Sequence, residues 1–126
     1  MLKLKRAYER PAREDGQRFL VERLWPRGLK KSALRLDAWL KDVAPSTELR
    51  KWFSHDPRKW VEFQKRYRSE LKQHAEVCDR IVEAARQGTV TLVYAAHDPD
   101  RNSAVVLRNY LKNKIAVNNS DQNSAA

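Results

Sequence analysis

Apolar and basic residues alternate along Leu2 to Tyr8, with Leu2, Leu4 and Arg6 on one side and Lys3, Lys5 and Ala7 on the other. That is the period of a half-exposed strand, and the turn-rich stretch Pro11 to Gly16 ends it. Within Gln17 to Leu24, the residues Phe19, Leu20, Val21 and Leu24 form a short apolar run of the kind that buries as a strand, closed by Pro26 and Gly28. Thr89 to Ala96 (TVTLVYAA) is β-branched and apolar on both faces. It predicts a central strand covered on each side.

Helical spacing accounts for most of the rest. Ala33, Leu36, Leu40 and Val43 fit one helical face, with Ser32 as a cap, so Lys30 to Pro45 is expected to be helical. The rival is an extended segment entering Ala44-Pro45, in which Ala38, Leu40 and Asp42 alternate. Ser46 is placed to cap a short helix over Thr47 to Phe53, with Glu48 complementing its dipole. His55-Asp56-Pro57 interrupts, and one long helix is expected through Trp60, Phe63, Tyr67, Leu71, Cys78, Ile81 and Ala85 until Gly88 caps it. A last helix is expected over Ser103 to Lys114, with Ala104, Leu107 and Leu111 inward, and a polar, frayed tail from Asn118.

Strands separated by helices predict an α/β fold: a small, mostly parallel sheet with helices packed on it, Rossmann-like in its layering. In such sheets ligands meet the carboxyl ends of the strands, here the Trp25–Gly28 and His97–Asn102 loops. With 126 residues the chain makes one domain, residues 1–115, followed by a flexible tail over 116–126. The absence of an apolar leader at Met1–Arg10 and of any membrane-length run, together with a single cysteine, points to a cytoplasmic protein with no membrane partner.

The formal charge of +10 implies attraction to anions. Its distribution sharpens this, because Arg23 to Arg68 carries 13 Lys or Arg against 5 Asp or Glu and also holds all four tryptophans, Trp25, Trp39, Trp52 and Trp60. Indoles beside guanidiniums stack on planar anions or bases, although indoles in small domains also serve as core. Arg23 and Arg27 around the Trp25-Pro26-Arg27-Gly28 turn have the chemistry to clamp a carboxylate or phosphate, or to form salt bridges at an exposed turn. Arg50, Trp52 and Ser46 extend the candidate ligand-binding set.

For acid–base work the candidates are His55 with Asp56 or Asp37, although Asp56 before Pro57 also has the pattern of an N-cap and Asp37 that of an ion-pair partner. His55, His74 and His97 lack close metal spacing, so neither metal nor cofactor is expected. Cys78 lies on an apolar helical face, where a thiol is inert.

The strings Val21-Glu22-Arg23-Leu24-Trp25-Pro26-Arg27-Gly28 and Ala44-Pro45-Ser46-Thr47-Glu48-Leu49-Arg50-Lys51-Trp52-Phe53 resemble the YeaO-like bacterial family, domain of unknown function 488. So do Leu92-Val93-Tyr94-Ala95-Ala96 and Ala104-Val105-Val106-Leu107, and the likeness extends from Leu2 to Lys114. The sequence departs from the family at Glu22, where Asp is usual, and near Ser103, where His is common. The resemblance implies a small cytoplasmic α/β protein and brings no catalytic residue with it. Three functions follow from the residues: a pocket that binds or acts on a phosphorylated or nucleotide-type anion, a non-catalytic nucleic-acid-binding module, or a basic domain that docks an acidic protein partner.

Overall fold

In the computed structural model, which describes residues 1–125 and side chains through residue 117, four strands form one all-parallel sheet. They are β1 (Leu2–Arg6), β2 (Gln17–Leu20), β3 (Ala38–Trp39) and β4 (Val90–Tyr94), in the order β1-β4-β2-β3. Leu4 and Phe19 both pair with Leu92 of β4, so the last strand in sequence lies between the first two. All five residues of β4 are buried, as its apolar run on both faces requires.

The two faces of the sheet are covered differently. Leu2, Phe19, Val21, Val90, Leu92 and Tyr94 join the main core. The helices on that side are α2 (Thr47–Phe53), α3 (Trp60–Lys72), α4 (Ala75–Gln87) and α5 (Ser103–Ala125). α5 packs on α3, α4, β1 and β4. The other face has a thin cover: Ala7, Leu20 and Val93 meet Leu34 of a single-turn helix, α1 (Lys31–Leu34), flanked by Trp25, Leu29, Leu36 and Trp39.

Where that cover gives out, charge replaces hydrocarbon. Asp15 is 4% exposed and Arg18 3%. The Asp15 carboxylate accepts from Arg18 Nη1 at 2.6 Å, from Lys5 Nζ at 3.1 and 3.2 Å, and from the Ala12 N–H at 3.0 Å. Arg18 Nε donates to Leu34 O, and Thr91 Oγ1 donates to Asp15 O. Burial pushes the Asp15 carboxyl upward, but the Ala12 N–H, Lys5 and Arg18 overcome it and hold the group below its ordinary value.

The segment Lys30–Pro45 corrects the helical expectation. Arg35 turns left-handed (φ 47°) and ends α1 after one turn, and Ser32 lies inside that helix rather than capping it. Asp37 N–H then donates to Arg18 O at 2.8 Å and its carboxylate accepts the Arg18 N–H at 2.8 Å, starting β3, and a 3-10 turn follows at Lys41–Val43. The expected long helix is two helices, because at Gln73 and His74 the N–H groups turn back to Glu70 O and Leu71 O. α5 continues past Lys114, the expected end, through Ala125. Among the described residues no helix is long and apolar enough to cross a membrane.

Two substitutions test this frame. Asp15→Asn strands the Arg18 guanidinium in a dry site and is expected to cost about 3 kcal/mol in urea unfolding. Because the folded Asp15 value is depressed, its stabilisation is present above the unfolded value and is lost as pH falls through the folded one, below about 4. Gly16 has φ 64°, and a Cβ there would lie 2.1 Å from Thr89 O. Gly16→Ala is expected to cost about 2–3 kcal/mol or more.

Candidate anion-binding cleft

β2 and β4 are central neighbours, but the chain leaves their carboxyl ends in opposite directions, from β2 toward β3 and from β4 into α5, which packs on β1. Divergence of this kind opens a crevice over the strand ends. A cleft of about 600 Å³ occupies it, within the usual range for small-molecule sites. Glu22 and Leu24 contribute from the loop after β2, Arg50, Lys51 and Phe53 to His55 from α2 and its end, and Ala95 to His97 with Arg101 to Ser103 from the loop after β4.

Each wall is fixed by its own local bonding. Ser46 caps α2, its Oγ accepting the Leu49 N–H at 3.1 Å. The same hydroxyl donates to Glu70 Oε2 at 2.6 Å, and the Ser46 N–H donates to Glu70 Oε1 at 2.8 Å, tying α2 to α3. At the far end Ser54 and His55 are both left-handed (φ 46° and 57°), which is uncommon outside glycine. This double reversal places His55 on the cleft wall while Phe53 and Phe63, stacked at 4.3 Å, floor it.

The loop after β4 is held from two sides. Arg6 Nε donates to Ala96 O at 2.9 Å, and Arg6 Nη2 lies 3.4 Å from His97 Nδ1. Asp98 Oδ1 accepts the N–H groups of Asp100 and Arg101, and Asn102 Oδ1 accepts the Val105 N–H, capping α5 at the cleft.

Among the described residues Glu22 is the one acidic side chain on the cleft wall. Its Oε1 accepts the Ala95 N–H at 3.0 Å, continuing the β2–β4 pairing with a side chain where the strands separate. Burial raises its carboxyl above the ordinary value, against that N–H and the positive fields of Arg50 and His55. Among the described residues no cation lies within ion-pairing distance of it, although Arg50, Lys51 and Arg101 line the same cleft.

Of the residues expected at a site, the structure brings Arg50 and His55 into the cleft. Arg23 instead donates Nε and Nη2 to Pro45 O and Ala44 O, both at 3.1 Å, and straps the entry of α2 to the end of β2. Trp25 donates to Leu29 O and packs edge-on against Trp39 at 5.3 Å. Arg27 is exposed at the turn, its carbonyl accepting Tyr8 Oη at 3.0 Å, and Gly28 (φ 81°) makes that turn possible. Trp52 lies under the Arg66 guanidinium at 4.0 Å.

Asp56 caps the Pro57–Lys59 turn and pairs with Arg58, whose hydrogen bond lowers its carboxyl, while Asp37 anchors β3. Neither reaches His55 by a hydrogen bond among the described residues. Lys51 is not named as a site residue from the sequence, Glu22 appears there only as a departure from the family, and His97, Arg101 and Asn102 enter only through the loop that carries them. The signal for the last three was the loop placement at a strand end, and Glu22 stood one residue before the arginine that drew notice. Cys78 is fully buried and its thiol is pushed up by that burial.

The protein is thus an α/β domain with a basic crevice over the carboxyl ends of its central parallel strands. By sequence it belongs to the family described as the inactive DUF488-N3 subclade, which it matches over residues 1–126. It is 41% identical over 111 residues to the uncharacterized protein YeaO of Escherichia coli (strain K12), covering 88% of this chain and 96% of that one. It is also 39% identical over 113 residues to the uncharacterized protein Mb3100c of Mycobacterium bovis, covering 90% and 95% of the two chains. No solved structure matches the chain.

The raised Glu22 value sets a pH dependence with a definite sign. A carboxyl whose folded value lies above its unfolded one adds stability below the unfolded value and loses it as pH rises through the folded one. Glu22→Gln is therefore expected to gain stability relative to the native chain between pH 4 and pH 8. Urea midpoints of the two proteins across that range check it, and a constant difference would mean that Glu22 titrates normally.

Proposed function

We propose that this protein binds a phosphorylated or nucleotide-type anion in the cleft and does so without catalysing a reaction. The observation that carries this is the convergence of Arg50, Lys51 and Arg101 with the capped amino end of α5 around one concavity. Guanidinium and ammonium groups supply charge-assisted hydrogen bonds to phosphate oxygens, and the first turn of a helix adds N–H groups that have no partner within it. His55 and His97 on the same walls add ring nitrogens able to donate to phosphate oxygens. Binding without turnover is supported by the engagement of Asp37 with Arg18 and of Asp56 with Arg58, rather than with His55, and by the family's description as inactive.

The nucleic-acid-binding alternative needs indole faces free for bases. Here the tryptophans are engaged: Trp52 with Arg66, Trp39 with Lys41 at 4.1 Å, Trp25 with Trp39, and Trp60 with Phe53 and Phe63. The concave site is better equipped than any surface strip of aromatic residues.

Calorimetry with inorganic phosphate and with adenosine 5′-monophosphate tests the proposal. Arg50→Ala and Arg101→Ala are each expected to weaken binding about tenfold or more, the value of one charge-assisted contact, while Arg27→Ala changes affinity less than twofold or so because Arg27 lies outside the cleft. No heat with either ligand, or equal losses in all three variants, would overturn it.

A further inference from the structure

The cleft holds a feature that a bare phosphate would not use. Glu22 spends one carboxylate oxygen on the Ala95 N–H, the other makes no hydrogen bond among the described residues, and the residue lines the cleft. A carboxylate accepts hydrogen bonds and repels anions, so beside three cations it favours a neutral donor on the ligand. We propose that Glu22 is a specificity-determining residue that accepts hydrogen bonds from ligand hydroxyls, so that the cleft takes a phosphorylated polyol, with the phosphate toward Arg50, Lys51 and Arg101.

Position and packing both favour this. Glu22 reaches the crevice from the loop after β2 and the α5 terminus from the loop after β4, so hydroxyl and phosphate sites come from different elements along the body of a ligand. That body has apolar walls to meet. Leu24 is 64% exposed at the cleft, with Phe53 and Ala96 also lining it. An exposed leucine at the mouth of a charged crevice gains burial only when a ligand's carbon framework covers it. A carboxylate at a strand's carboxyl end is also suited geometrically to a ribose diol.

This rests on the anion-binding proposal, and four probes separate the two: inorganic phosphate, ribose 5-phosphate, adenosine 5′-monophosphate and its 2′,3′-dideoxy analogue, each titrated by calorimetry into the native chain and Glu22→Gln. In Glu22→Gln the side-chain oxygen still accepts the Ala95 N–H, leaving an amide donor toward the cleft. The native chain is expected to bind both hydroxylated phosphates about tenfold more tightly than inorganic phosphate, with the dideoxy analogue losing that gain. Glu22→Gln is expected to lose the preference and, with the repelling charge gone, to bind inorganic phosphate more tightly than the native chain does.

Equal affinity for the two hydroxylated phosphates supports a sugar phosphate, and tighter binding of the nucleotide supports a nucleotide. Should the dideoxy and native nucleotides bind alike, or Glu22→Gln retain the preference, the role of Glu22 is overturned while the anion site stands. If no probe binds, both fail. The dideoxy comparison uses only the native chain, so it decides the matter even if the variant does not fold.

Discussion

The pairing of β2 with β4 is the contact on which both the core and the cleft depend. It joins the amino-terminal half of the chain to Val90–Tyr94, places Phe19 beside Leu92 in the main core, and places Leu20 beside Val93 on the thinner face. Parallel neighbours so far apart in sequence are costly to bring together, because a long loop must close before any ladder bond forms. The apolar groups on both sides of β4 offset that cost. Where the ladder ends, the Val21 N–H still reaches Val93 O, and one residue on the Glu22 carboxylate takes over from the backbone. The cleft begins where a side chain must do what a strand no longer can.

The same pairing explains the buried charge below it. A sheet covered by helices on one face needs something on the other, and α1 is too short to reach the whole of it. Leu34 seals the part over Leu20 and Val93, while Arg18, Asp15 and Lys5 fill the remainder. Such a cluster adds little net stability over hydrocarbon, but it is intolerant of losing one member. It also fixes where β3 joins, because Arg18 donates to Leu34 O, and its backbone bonds Asp37 in both directions. Charge, single-turn helix and edge strand thus form one unit.

Much of this was legible in the sequence wherever the signal was local. TVTLVYAA could only be a doubly covered strand, and Ser46 and Asp56-Pro57 marked turns and caps that the structure contains. The break at Gln73–His74 was hidden, because Leu71 and Cys78 are seven residues apart in sequence and keep helical phase across it, with no glycine or proline as a marker. β3 was hidden for the opposite reason. Two residues carry no period, and their strand character comes from Phe19 and Leu20 alongside. The Arg23–Gly28 string was correctly conspicuous, yet its density reflects loop carbonyls that need donors, and Arg23 satisfies two of them.

The distribution of charge carries the last step. The basic segment Arg23 to Arg68 has a net charge of +8, but its members face different ways: Arg23 toward loop carbonyls, Arg27 toward solvent, Lys59 and Arg66 toward Trp52, and Arg50 and Lys51 into the cleft. At physiological ionic strength an exposed charge is screened within about 8 Å, so the outward-facing residues contribute to encounter more than to affinity. Apolar walls in a crevice weaken that screening, and among the described residues Arg50, Lys51 and Arg101 share the cleft with one carboxylate, that of Glu22. In the proposed function the local excess of cations attracts the anion, and the Glu22 carboxylate limits which anions fill the space. Net charge suggests only the sign of the proposed ligand, whereas the mix of groups lining the cleft suggests its shape.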